Sequence, residues 1–103
     1  MNESPESGSS WWVYLIRTRH QALYCGITNN LERRLKMHRE GKGAKYLRGK
    51  SPLALVWSQE LENKALALKM EYKIKQYSKD KKERLVADNS RIDLAQITKY
   101  HLD

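Results

Sequence analysis

From Trp11 to Thr18 aromatic and branched residues follow one another almost without a polar break, which predicts a β-strand. Arg19, His20 and Gln21 interrupt the run, and Ala22 to Thr28 predicts a second strand. So short a connection cannot carry a parallel crossover, so the two strands are expected to pair as an antiparallel hairpin. Asn29 and Asn30 are good N-cap residues, and the apolar period changes there to that of a helix over Leu31–Glu40. Gly41 stops that helix, and residues 41–50 read as a loop. Pro52 opens a third strand from Leu53 to about Gln59.

Asn63 is expected to cap a long helix running to about Ser78, with Leu66, Met70, Ile74 and Tyr77 as its buried stripe. A short helix over Asp80–Ala87 follows, with Leu85 and Val86 inward. Ser90 and Asp93 have the spacing of a capping box for a last helix that carries Ile92, Ala95, Ile97 and Tyr100. These elements predict an α+β layered domain, a small three-stranded antiparallel sheet flanked by helices. Residues 11–88 form its body and residues 89–103 a C-terminal helical extension. Residues 1–10 are acidic and polar, with nothing to bury, and read as a disordered lead rather than a signal peptide.

A chain of 103 residues has room for one domain with a modest core. Its single cysteine, Cys25, cannot form an internal disulfide and suits a reducing compartment. Neither Cys25 nor His20, His38 and His101 has the paired spacing of a zinc site. No apolar run nears the ~20 residues of a membrane helix, so no membrane partner and a cytoplasmic location are expected.

Charge changes the picture more. The formal net charge is +8, and nearly all of the excess lies between Arg33 and Lys50. Eight Lys and Arg stand there against Glu40 alone. Such a cluster attracts phosphates, and its glycines and Tyr46 favour a polyanion partner over a merely solvated face. Lys42, Lys45, Tyr46, Arg48 and Lys50 are the candidate nucleic-acid contacts, with Tyr46 placed to stack on a base.

The first helix carries the candidate chemistry. At about 100° per residue, Leu31, Arg34, Leu35 and His38 share one face. Arg34 thus sits among the leucines that hold the helix to the sheet, where an unpaired charge is costly. It needs an anion, either an internal carboxylate or a phosphate at the mouth of a cleft. On the later helix Glu71 borders the apolar stripe. It can pair with Lys75 in the i,i+4 order, or bind Mg²⁺, which often takes only one or two carboxylates. Tyr14 and Tyr24 lie on the paired strands, where two phenols beside a basic helix can orient or deprotonate a water. Gly26 ends the second strand with no side chain, so a backbone or phosphate can come close.

Val13-Tyr14-Leu15, Tyr24-Cys25-Gly26, the run Asn30-Leu31-Glu32-Arg33-Arg34 with His38, and the distant Glu71 together resemble the signature of the GIY-YIG nuclease superfamily. From Trp11 to about Ala87 the chain is similar to the small single-domain bacterial members, the YhbQ-like group. Gly41 to Tyr46 also resembles the corresponding loop of structure-selective resolvases in that superfamily. The resemblance aligns Arg34, not Arg33, with the catalytic arginine. It places His38 at a position where the family often has histidine, Glu71 at the metal-binding glutamate, and Tyr14 and Tyr24 at the signature tyrosines. Val13 and Cys25 depart from the triplets, at strand positions that tolerate substitution.

The resemblance implies an endonuclease that uses one divalent metal, Mg²⁺ or Mn²⁺, to hydrolyse DNA phosphodiester bonds, leaving a 3′-hydroxyl and a 5′-phosphate. Repair or processing of unusual DNA, branched or single-stranded, is the implied setting, with a protein partner supplying DNA specificity. The alternative is a non-catalytic nucleic-acid-binding module of the same fold. A further rival is an interaction protein whose basic surface meets an acidic partner.

Overall fold

The computed structural model describes residues 10–98. Strand β1 (Trp11–Arg17) is the middle of a sheet of order β2-β1-β3, between β2 (Leu23–Thr28) and β3 (Ala54–Leu61). Both pairings are antiparallel. The unbroken apolar run of β1 is explained by its position, because its two faces meet two different cores. Val13 and Leu15 point into one, Tyr14 and Ile16 into the other, and all four are buried. The α+β expectation is met.

Helix α1 (Leu31–Arg39) and the chain after it cover the Tyr14 face, where Leu47 and Leu53 are buried and Leu31, Leu35 and Ala44 pack around them. Helix α2 (Lys64–Lys75) covers the opposite face and buries Ala67, Met70 and Ile74 against Val13, Leu15, Cys25, Trp57 and Leu61. Helix α3 (Lys79–Asp88) and the short α4 (Ala95–Thr98) complete that second layer. Among the described residues no helix is long and apolar enough to cross a membrane.

Both predicted asparagine caps form. Asn30 accepts from Arg33 N–H at 3.0 Å, and Asn63 from Leu66 N–H at 2.9 Å. Other boundaries differ. The predicted long helix ends at Lys75, because Ser78 leaves helical geometry to cap α3, accepting from Lys81 N–H at 3.1 Å. Strand β3 runs on to Leu61 and shifts register with β1 after Leu15, so that consecutive Val56 and Trp57 pack against one core. The capping box at Ser90 and Asp93 does not form. The Asp93 carboxylate instead accepts from Ala95 N–H at 3.0 Å, while the Ser90 carbonyl accepts from Trp57 Nε1 at 2.8 Å. Tyr100 and the lead up to Ser9 lie outside the described residues.

Candidate active site

The site begins with a pairing register. Tyr14 lies opposite Gly26 in the hairpin, and its ring reaches across to that residue. A Cβ on Gly26 would stand 2.5 Å from the Tyr14 hydroxyl oxygen. The gap left by Gly26 is therefore filled by the Tyr14 phenol, where the sequence suggested an approaching backbone or phosphate. Tyr24 is diagonal to Tyr14 on the same face, with ring centroids 6.5 Å apart.

Helix α1 lays His38 against both phenols. Its Nε2 is 2.9 Å from Tyr14 Oη, and its ring stands edge-on to Tyr24 with centroids 5.9 Å apart. Just beyond the helix the chain folds back over the imidazole, and Ala44 N–H donates to Nδ1 at 3.2 Å. A nitrogen that accepts an amide hydrogen carries none itself, so the neutral ring holds its hydrogen on Nε2 and donates it to Tyr14. Burial, and then the nearby Arg34 charge, lower the His38 pKa from its ordinary value, in keeping with that neutral ring.

Arg34 reaches the same phenol. Burial pushes the Tyr14 pKa up to about 12, and the hydrogen bond from Arg34 is the largest influence in the other direction. Tyr14 Oη accepts from His38, which leaves its own hydrogen free for a water or a phosphate oxygen. Arg34 Nε is buried with no hydrogen-bond partner, so the guanidinium is not fully satisfied by the protein. The residue also lines a hollow of about 460 Å³ with Trp11, Asn29, Arg33 and Met37 among its walls.

The basic stretch forms the rim. Residues 45–47 make a turn of 3₁₀ helix where the sequence suggested only loop, and the turn buries Leu47 in the core beneath the site. Tyr46 stacks on Tyr24, with centroids 5.9 Å apart and rings 16° from parallel. The Lys50 ammonium lies 3.8 Å above the Tyr46 ring and donates to the Tyr46 carbonyl at 2.6 Å. Tyr46 is therefore already engaged by Tyr24 and Lys50, although it stays exposed at the rim. Lys42 shares Glu40 with Lys36, at 3.9 and 3.8 Å, whereas Lys45 and Arg48 are exposed and make no ion pair among the described residues.

Tyr14, Tyr24, Arg34, His38 and the rim are thus brought together, while Glu71 stands on α2, in the other layer. It borders the sheet's edge strand β2, close enough for its charge to raise the pKa of the Cys25 thiol, second in effect to burial. Its carboxylate pairs with Lys75 at 3.2 Å, and its side chain keeps 19% of its exposure. Among the described residues no three His, Cys, Asp or Glu cluster as a metal cage. One hard carboxylate oxygen donor nevertheless suits a magnesium ion whose other positions go to water and substrate phosphate.

The sequence reading missed Gly43. A Cβ there would lie 2.1 Å from His38 Nδ1, so only glycine lets the chain pass close enough for Ala44 to bond the ring. The Gly41-Lys42-Gly43 pair of glycines was the available signal. Tyr72 on α2 points away from the core and is 69% exposed.

The model of the GIY-YIG catalytic domain matches residues 10–84 of the chain. The chain belongs to the GIY-YIG family. Its UPF0213 relatives include one from Vibrio cholerae, 52% identical over 98 residues, which span 94% of this chain and 97% of that protein. The UPF0213 protein YhbQ of Escherichia coli is 52% identical over 80 residues, 78% of this chain and 80% of its own length. The solution NMR structure of the UPF0213 protein BH0048 from Bacillus halodurans is similar in fold and sequence. It is 40% identical, with a TM-score of 0.50 over 76% of this chain and 83% of that one. Tyr14 and Tyr24 both fall within the matched span, on facing strands of the hairpin.

Proposed function

We propose that this GIY-YIG protein is a metal-assisted endonuclease that hydrolyses phosphodiester bonds in DNA, with Tyr14 as its proton acceptor. The observation that carries the reading is the Tyr14 hydroxyl, which accepts from His38 Nε2 at 2.9 Å beside the buried, unpartnered Nε of Arg34 and beneath a basic rim. The His38 donor and the Arg34 charge oppose the burial that raises the Tyr14 pKa to about 12, and the charge of a bound metal would have to add to them before the phenol could take a proton from water.

In this mechanism a phosphate of the strand lies along Lys45 and Arg48, within reach of Arg34. Tyr14, once its own proton has passed to solvent, orients a water and takes its proton while the water oxygen bonds to phosphorus. The bond from phosphorus to the 3′-oxygen breaks, leaving a 5′-phosphate and a 3′-hydroxyl that draws its proton from solvent. Arg34 donates to the phosphate oxygens as their charge grows. His38, held by Ala44, keeps Tyr14 in place, and Tyr24 packs against the imidazole. Mg²⁺ or Mn²⁺ held by Glu71 would add positive charge at a phosphate oxygen and at the leaving oxygen. For that role a metal would compete with Lys75 for the Glu71 carboxylate.

The test is a cleavage panel on duplex, branched and single-stranded DNA, with and without Mg²⁺ or Mn²⁺. Arg34→Ala is expected to slow cleavage about 10²–10³-fold while DNA affinity stays within a few-fold. Glu71→Gln is expected to abolish the response to metal. If either variant cuts as fast as the parent, the assignment is wrong. The Glu71–Lys75 pair favours a second reading, a binding module without chemistry. Tight DNA binding with no cleavage of any substrate under either metal would establish that reading.

A further inference from the structure

A second hollow, of about 520 Å³, lies between α3 and the segment that follows it. Its size is in the range of small-molecule sites, roughly 300–1,000 Å³. The walls are fixed by the fold. Asn89, in the left-handed region at φ 49°, ends α3 and turns the chain back, and Ser90 N–H bonds the Leu85 carbonyl at 3.3 Å. The returning segment is pinned to β3 by Trp57 on the Ser90 carbonyl, and by the Gln59 amide, which both donates to and accepts from the Ile92 backbone at 3.0 and 2.8 Å. The apolar part of the lining comes from Tyr77, Leu85 and Ile92.

The rim of this hollow is charged, and its cations outnumber its acids. Lys81, Arg84 and Arg91 line it against the single carboxylate of Asp88. None of the three cations makes an ion pair among the described residues, although Asp88 stands one turn after Arg84. Lys81 lies 4.3 Å from the centroid of the Tyr77 ring. Three cations and one acid leave about two positive charges, the complement of a terminal phosphate, which carries about −1.5 to −2 at neutral pH. Arginine forks suit phosphate oxygens, and the apolar lining suits a sugar and base.

We infer that this hollow binds a nucleoside carrying a terminal phosphate, with Arg84, Arg91 and Lys81 on the phosphate and the nucleoside against Leu85 and Ile92. The ligand is either a free mononucleotide or the 5′-phosphorylated end of a DNA strand, and the inference does not rest on the cleavage reading. Backbone amide shifts of the full chain can be followed by NMR during titration with dAMP, with a 5′-phosphorylated oligonucleotide, and with the same oligonucleotide lacking that phosphate.

Arg84, Ser90, Arg91 and Ile92 are expected to shift with one or both phosphorylated ligands. dAMP alone would identify a free nucleotide as the source, and the oligonucleotide alone a strand end. Removing the terminal phosphate, or introducing Arg84→Ala with Arg91→Ala, is expected to weaken the response at least tenfold. Arg84→Lys with Arg91→Lys is expected to restore part of it. No shift at these amides with either phosphorylated ligand, or equal shifts with and without the terminal phosphate, would overturn the assignment.

Discussion

With Ala44 N–H donating to Nδ1, His38 can be protonated only by losing that bond, so the ring is a neutral donor to Tyr14 by construction. Its folded-state pKa lies below the ordinary 6.5, with burial the larger cause and Arg34 the second. The sign for stability follows. The unfolded chain takes up this proton first, so His38 contributes stability that is present above pH 6.5 and lost as pH falls from there toward the folded pKa. A denaturant series from pH 7.5 to 5 is expected to show that decline, and His38→Asn is expected to flatten it. Equal declines in the two proteins would contradict the neutral-ring assignment. Gly43 holds the same arrangement from outside. Because an added Cβ would meet Nδ1 at 2.1 Å, Gly43→Ala is expected to lift the chain off the imidazole and cost about 1–3 kcal/mol. Urea midpoints measure the loss, and the imidazole ¹⁵N resonances report whether the Nδ1 bond has gone. An unshifted ¹⁵N pattern would mean that the chain does not rest on the ring.

Between elements, the strongest polar tie runs from the end of β1 to α3. Arg17 meets the Glu83 carboxylate with two hydrogen bonds, at 2.8 and 2.7 Å, and Lys79 joins it at 2.9 Å. The Arg17 guanidinium, and then Lys79, hold the Glu83 carboxyl down at about 2. A depressed carboxylate contributes stability above its unfolded pKa of about 4.5 and loses it as pH falls from there to about 2. Both side chains keep solvent contact, 23% for Arg17 and 34% for Glu83, so screening limits the contribution. Glu83→Gln is expected to cost about 1 kcal/mol at pH 7, with the difference gone near pH 2. Thermal melts across that window check it, and a constant difference would exclude the ion pair as the cause. The sequence showed the elements themselves but not this tie, since nothing in local pattern links residues 66 positions apart. What periodicity carries was legible: the three strands, the asparagine caps, and the face of α1 that presents Arg34 and His38. What depends on a choice between competing local bonds was not. Ser78 could continue a helix or cap the next one, and Leu47 could flank a loop or anchor it, and the tertiary packing decided both.

On the scale of the molecule, the positive charge and the Tyr14 face coincide. Eight Lys and Arg fall between Arg33 and Lys50, and that stretch forms α1 and the rim over the two phenols, while Glu71 waits in the opposite layer. Within the stretch the charges are not equivalent. Lys36 and Lys42 already face Glu40, and Lys50 is engaged with Tyr46, but Lys45 and Arg48 are exposed and unpaired among the described residues. Displacing an existing partner reduces what a phosphate contact returns, so Lys45 and Arg48 should respond to salt more than Lys42 does. Each phosphate that a cation neutralises releases condensed counterions and adds about 0.9 to the slope of log affinity against log salt on duplex DNA. Lys45→Ala and Arg48→Ala are each expected to weaken binding and to lower that slope by about one, whereas Lys42→Ala should change it far less. Fluorescence anisotropy from about 50 to 200 mM salt reads the slopes directly. Equal slopes for the Lys45 and Lys42 variants would mean that nucleic acid does not lie along this rim, and the basic stretch would then serve only as a solvated face.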